Sequence, residues 1–197
     1  MKDWNGNSTA IFSTHGASNH SEGERADLDY YATDPEAVER LLELESFSGD
    51  ILEPACGGCH ISNVLTAHGH HVESYDIINR GGHQTGVRDF LATNTENYSD
   101  IVTNPPYKFA KEFAEHALDI SREGVKVAMF LKLTFLEGAK RKELFDRYPP
   151  KAIYVFRNRI DCWKNGEKPD KPARAVCYAW FVWEKGYQGE PAIRWID

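Results

Sequence analysis

Two rhythms of apolar residues alternate along this chain. Short runs of strand length fall at 50–53, 71–76, 100–103, 125–133, 151–160 and 173–183, several rich in β-branched and aromatic residues. Between them, apolar residues recur at helical spacing. Val38, Leu41, Leu42 and Leu44 follow Asp34-Pro35, an N-cap with proline at the first helical position. Phe109, Phe113, Ala114, Ala117 and Leu118 mark an amphipathic helix over 108–121, and shorter helices are expected at 61–68 and 137–148. This alternation, with two strands closing the chain, predicts an α/β fold. Its sheet is Rossmann-like, doubly wound and mostly parallel, with an antiparallel C-terminal strand. Residues 1–28 lack the periodicity and are rich in Ser, Asn, Gly and His. The pattern makes them a partly mobile N-terminal arm and 29–197 a single domain. Part of 13–25 is expected to close over the site.

The strand at 100–103 opens directly into Asn104-Pro105-Pro106-Tyr107. Two prolines fix two φ angles and remove two backbone donors, and Asn104 is pushed to an extended conformation by the proline after it. The turn therefore presents acceptors, the Asn104 side-chain oxygen and the carbonyls of Asn104 and Pro105, beside an aromatic ring. A planar exocyclic amine suits that set: two acceptors take its N–H bonds and Tyr107 stacks on the heterocycle. The same tetrapeptide also serves as an ordinary proline turn.

Upstream, Glu53-Pro54-Ala55-Cys56-Gly57-Gly58 lies on a strand-to-helix turn, the crevice position where doubly wound sheets bind ligands. Asp76, followed by Ile77, stands at the next strand end, about 20 residues on, where a carboxylate meets a ribose diol. Asp89 adds an acceptor beside Phe90. Each piece has a plainer reading as a turn, a solvated acid or a core ring, and it is their order before Asn104 that makes the set informative. Cys56 and Cys59 form a C-x-x-C without a second pair, too few ligands for a structural zinc site, so no metal is expected.

Together these segments resemble the small S-adenosylmethionine-dependent DNA adenine-N6 methyltransferases carried by phages and prophages, over most of the chain from about residue 19. The resemblance implies the class I methyltransferase fold and S-adenosylmethionine as cofactor. The segment from Asp29 to Pro35 resembles the N-terminal motif that meets the methionine part of the cofactor, which brings in Tyr31 and Thr33. Residues 53–58, with Glu53, Ala55, Cys56 and Gly57, resemble the cofactor loop. Asp76 with Ile77 matches the ribose site, Asp89 with Phe90 the adenine site, and Asn104, Pro105, Pro106 and Tyr107 the catalytic loop, with Asn104 also beside the cofactor. The motif order resembles the gamma arrangement. Cys59 departs from it, standing where a third glycine is usual. So does the C-terminal part, where only about a dozen residues, 161–172, interrupt the last hairpin in place of a separate target-recognition domain.

Charge refines the partner. The net charge is −7, yet residues 140–174 hold eleven Lys and Arg against five Asp and Glu. Such a basic segment on an acidic body is expected of a local phosphate-contacting surface. The expected DNA contacts are Lys140, Arg141, Arg157, Arg159 and Arg174, with short or relaxed sequence preference. Open alternatives are methylation of RNA adenine or of a protein glutamine, and a silent cofactor- or DNA-binding protein. No apolar run of 18 residues and no export signal is present, so neither a membrane span nor export is expected and the location is expected to be cytoplasmic. The sequence leaves monomer and dimer equally open.

Overall fold

The computed structural model describes residues 30–170 and 176–197. The expected arm and Arg174 lie outside the described residues. The strands are β1 (Tyr31–Thr33), β2 (Asp50–Glu53), β3 (His71–Asp76), β4 (Gly86–Val87), β5 (Asp100–Thr103), β6 (Lys126–Lys132), β7 (Ala152–Phe156), β8 (Cys162–Lys164), β9 (Tyr178–Glu184) and β10 (Ala192–Ile196). The helices are α1 (Pro35–Leu42), α2 (His60–Ala67), α3 (Ala110–Ile120) and α4 (Lys142–Arg147). Asp34 caps α1 by accepting from the Glu36 N–H at 3.1 Å, with Pro35 opening the helix, as the sequence predicts.

Eight strands form one sheet in the order β10-β7-β9-β6-β5-β2-β3-β4, with β1 and β8 paired separately. Strands β2, β3, β4, β5 and β6 run parallel to one another, while β9 lies antiparallel between β6 and β7. The expected α/β fold with its antiparallel strand is therefore present. That strand is an inner one, and a further strand, β10, follows it and pairs parallel with β7 at the sheet edge.

Alternation along the strands supplies two cores. Val102, Ala128, Phe130, Tyr154, Trp180 and Val182 face α1 and α2 through Val38, Leu41, Ile61 and Leu65. Ile101, Val127, Met129, Ile153, Phe181 and Trp183 face α3 and α4 through Phe113, Ala117, Leu118 and Leu144. β9 stitches the layers together. The Trp180 indole N–H donates to the Ala37 carbonyl of α1 at 2.7 Å, and that of Trp183 donates to the Tyr148 carbonyl at 3.0 Å. Both indoles are fully buried, and truncating either to alanine is worth roughly 3–5 kcal/mol.

Three expectations change. The helix expected over 137–148 shrinks to α4, preceded by 3-10 turns at Leu133–Leu136 and Ala139–Arg141. The strand expected over 151–160 ends at Phe156. The loop expected at 161–172 contains β8, which pairs antiparallel with β1, Thr33 opposite Cys162 and Tyr31 opposite Lys164. Because β2, β3, β5, β6 and β7 all point the same way, the turns after them emerge on one edge. The β1–β8 ribbon joins the turns at that edge.

Candidate active site

At the edge where β3, β2 and β5 end, a cavity of about 640 Å³ opens, within the usual range for a small-molecule site. One wall is built from carboxylates near the strand ends. Asp76, buried at the end of β3, accepts from the Gly57 N–H at 2.8 Å through one oxygen and from the Ile78 N–H at 3.0 Å through the other. The acid and the glycine turn thus position each other, while the carboxylate retains lone pairs for a further donor. Glu53 is 1% exposed. It accepts from the Ser62 N–H at 2.9 Å and from the Ser62 hydroxyl. Burial pushes its carboxyl up to about 8 against the opposing pull of those bonds.

The glycine turn serves a contact of its own. Gly57 has φ +53, and a Cβ there would stand 2.1 Å from the Tyr30 ring. The Tyr30 hydroxyl accepts from the Gly58 N–H at 2.9 Å, and the Arg80 guanidinium lies 4.4 Å from the centre of the ring. The side chain that needs these glycines to be small is Tyr30. Cys59, at the position of the usual third glycine, takes the left-handed conformation at φ 63, a strain that glycine would not carry.

The opposite wall is the proline turn. The Asn104 side-chain amide donates to the Tyr31 carbonyl at 2.8 Å and lies 3.9 Å from the Cys162 sulfur. Its Oδ1 is buried and has no hydrogen-bond partner among the described residues. Thr33 Oγ1, on the same cavity, is likewise buried and unpartnered among them. The Tyr107 ring lies 6.1 Å from that of Tyr31 and 6.0 Å from that of Tyr178, with Lys132 Nζ 4.7 Å from its centre. The Tyr107 hydroxyl and Cys162 Sγ are 3.3 Å apart. Burial raises the Tyr107 hydroxyl well above the usual tyrosine value and the Cys162 thiol to about 11.

The structure brings the sequence-predicted set together. Tyr31, Thr33, Glu53, Ala55, Cys56, Asp76, Ile77, Asp89, Phe90, Asn104, Pro105, Pro106 and Tyr107 all line this cavity. Gly57 acts from behind it through Asp76. Asp89 is exposed and accepts from the Leu91 N–H at 3.0 Å, capping a short turn at Phe90–Ala92. The basic candidates sit on the connections leaving the same edge. Lys140 is exposed. Arg141 folds back, its guanidinium donating to the Thr134 and Glu137 carbonyls. Arg157 pairs with Asp197 at 3.3 Å. Arg159 lines a second cavity of about 500 Å³ with Trp163 and Lys168.

Sequence reasoning missed His60, Arg80, Arg88 and Lys108 on the main cavity, and Cys162 behind it, and it placed Tyr30 in the cofactor-facing segment without singling it out. Asn165-Gly166 was the available signal for β8: both residues carry positive φ, at 54 and 80, and Asn-Gly marks a chain reversal. Among the described residues no group of three or more potential metal ligands occurs, and no helix is long and apolar enough to cross a membrane.

No family model matches the chain, and no curated protein matches it in sequence. Solved structures do match in shape. A predicted O-methyltransferase from Agrobacterium tumefaciens is 13% identical, with a TM-score of 0.59 over 82% of this chain and 85% of that one. A candidate RNA methyltransferase from Pyrococcus horikoshii is 15% identical, with a TM-score of 0.55 over 80% and 88%. A candidate class I S-adenosylmethionine-dependent methyltransferase from Listeria monocytogenes is 12% identical, with a TM-score of 0.52 over 81% of this chain. The match spans only 62% of the Listeria chain. At these identities the likeness is one of architecture, and that architecture is the class I methyltransferase fold.

Proposed function

We propose that this chain is an S-adenosylmethionine-dependent methyltransferase acting on N6 of a flipped-out adenine in DNA. The observation that carries the reading is Asn104 Oδ1, a buried acceptor on the cavity wall without a partner among the described residues. Burying such an atom costs roughly 1–3 kcal/mol unless a donor arrives, and an amino group brings one.

The residues fit the cofactor. Asp76 sits at a strand end with lone pairs left for a diol, Asp89 stands beside Phe90 for an adenine, and Thr33 Oγ1 awaits a partner. When bound, S-adenosylmethionine supplies an electrophilic methyl group on a sulfonium. The chain supplies position. Asn104 Oδ1 and the Pro105 carbonyl take the two N–H bonds of the target amine, which turns its lone pair out of conjugation with the ring. Tyr107 offers the flat surface for the base, in a pocket reached only by a nucleotide extruded from its stack. Alignment does most of the catalytic work, and no side chain acts as a general base before transfer. The methylated amine then loses its surplus proton to solvent. Lys140, Arg157 and Arg159 contact flanking phosphates, which fix position without reading sequence.

The test is nucleoside mass spectrometry after incubation with the cofactor and, separately, plasmid DNA, RNA and protein. The reading expects N6-methyladenine in DNA. Methylated RNA or protein with unmodified DNA would replace it.

A further inference from the structure

We propose that Cys162 is a positioning residue for this reaction, its sulfur holding Asn104 and Tyr107 in register with each other. The inference rests on the amine-methylation reading above.

A primary amide can present either end to a ligand. At Asn104 the end facing the protein is set by two acceptors, the Tyr31 carbonyl at 2.8 Å and Cys162 Sγ at 3.9 Å. Between them they take both hydrogens of Nδ2. Turning the amide over would set Oδ1 2.8 Å from a carbonyl oxygen, lone pair against lone pair. Oδ1 is left pointing where it has no partner among the described residues. The same sulfur lies 3.3 Å from the Tyr107 hydroxyl, so one atom contacts both the Asn104 amide nitrogen and the Tyr107 hydroxyl. Burial lifts the Cys162 thiol to about 11, so it is neutral at physiological pH and keeps both its weak donor and its acceptor character.

Cys162 and the Tyr31 carbonyl belong to opposite strands of the β1–β8 ribbon. The ribbon thus delivers both contacts at once, from segments 73 and 58 residues away from Asn104. A residue that merely fills space would be replaceable by any side chain of similar size, whereas a positioning sulfur needs a hydrogen-bonding replacement.

The experiment compares Cys162→Ser, Cys162→Val and Cys162→Ala with wild type on adenine-containing DNA, reading kcat, KM for DNA, cofactor Kd and thermal midpoint. Valine keeps the volume without the polar atom, and serine keeps the polar atom. Valine and alanine are expected to lower kcat by roughly 10- to 100-fold, the scale of a misplaced reacting group. Cofactor Kd should stay within about twofold, because the sulfur contacts Asn104 and Tyr107 and not the acidic wall proposed to hold the cofactor. Serine is expected to recover most of the loss. Wild-type kcat in Cys162→Val, or a serine variant no better than valine, overturns the inference and leaves the amine reading standing. No methyl on adenine with the wild-type protein removes both.

Discussion

The two walls of the cavity are built in opposite ways. On the acidic wall, Asp76 and Glu53 reach amides 19 and 9 residues away, and each is bonded to backbone N–H groups. On the proline-turn wall, Asn104 and Tyr107 are held by Tyr31 and Cys162, at separations of 73 and 55 residues, and Asn104 Oδ1 is buried and unpartnered among the described residues. The first wall is complete in itself and presents spare lone pairs. The second depends on long-range pairing and presents an unmet need. Under the proposed reading, the preformed cradle takes the cofactor and the unsatisfied acceptor takes the substrate amine.

The largest expected effect separates the walls. Asn104→Ala should lower methyl transfer on the order of 10²–10³-fold or more, as loss of a transition-state hydrogen-bonding group does elsewhere, while calorimetry finds cofactor affinity nearly intact. A variant with wild-type turnover would remove the asymmetry. Asp76→Ala is expected to do the reverse. Loss of a charge-assisted hydrogen bond worth about 1.5–3 kcal/mol weakens cofactor binding roughly 10- to 150-fold, and calorimetry showing undiminished affinity would refute the ribose assignment.

How much of this contrast could be read in advance follows the same division. The acidic wall was legible because its parts are local: a strand, a glycine turn and a strand-end carboxylate recur at spacings set by one βαβ unit. The proline turn was legible as chemistry, since prolines and an amide constrain their own geometry. Its supports were not. β8 is only three residues, Cys162–Lys164, too short for periodicity, and its partner β1 lies at the other end of the chain. β10 was missed for another reason. At the sheet edge Ile193 and Trp195 are exposed, so the strand lacks the buried alternation by which strands are recognised. The expected helix at 137–148 shortened because Gly138 takes φ 101 and the Arg141 guanidinium donates to the carbonyls of 134 and 137, so the chain passes through a 3-10 turn before α4 begins.

A smaller effect sharpens the acidic wall. Glu53 ionises near 4.5 in an ordinary setting and near 8 in this fold. Between those values the folded chain keeps a proton that the unfolded chain has released. Its contribution is therefore full below about pH 4.5 and declines as pH rises toward 8. Thermal midpoints of wild type and Glu53→Gln should diverge across that window, wild type falling more steeply. Parallel curves would mean that Glu53 is charged in the folded chain. The smallest effect concerns the surroundings. Reversing Arg157 and Arg159 to Glu should weaken DNA binding in filter or anisotropy assays with little change in cofactor affinity. It should also flatten the salt dependence between roughly 50 and 200 mM. An unchanged salt slope would move the phosphate contacts elsewhere on the cavity edge.

The central claim is that Asn104 Oδ1 serves an exocyclic amine. Its most direct test uses duplex DNA carrying ¹⁵N at adenine N6 and cofactor with a trideuterated methyl group, followed by tandem mass spectrometry of the nucleosides. The account predicts the deuterated methyl bonded to the ¹⁵N of adenine. Label on a ring nitrogen, on a pyrimidine carbon or on an oxygen would contradict it.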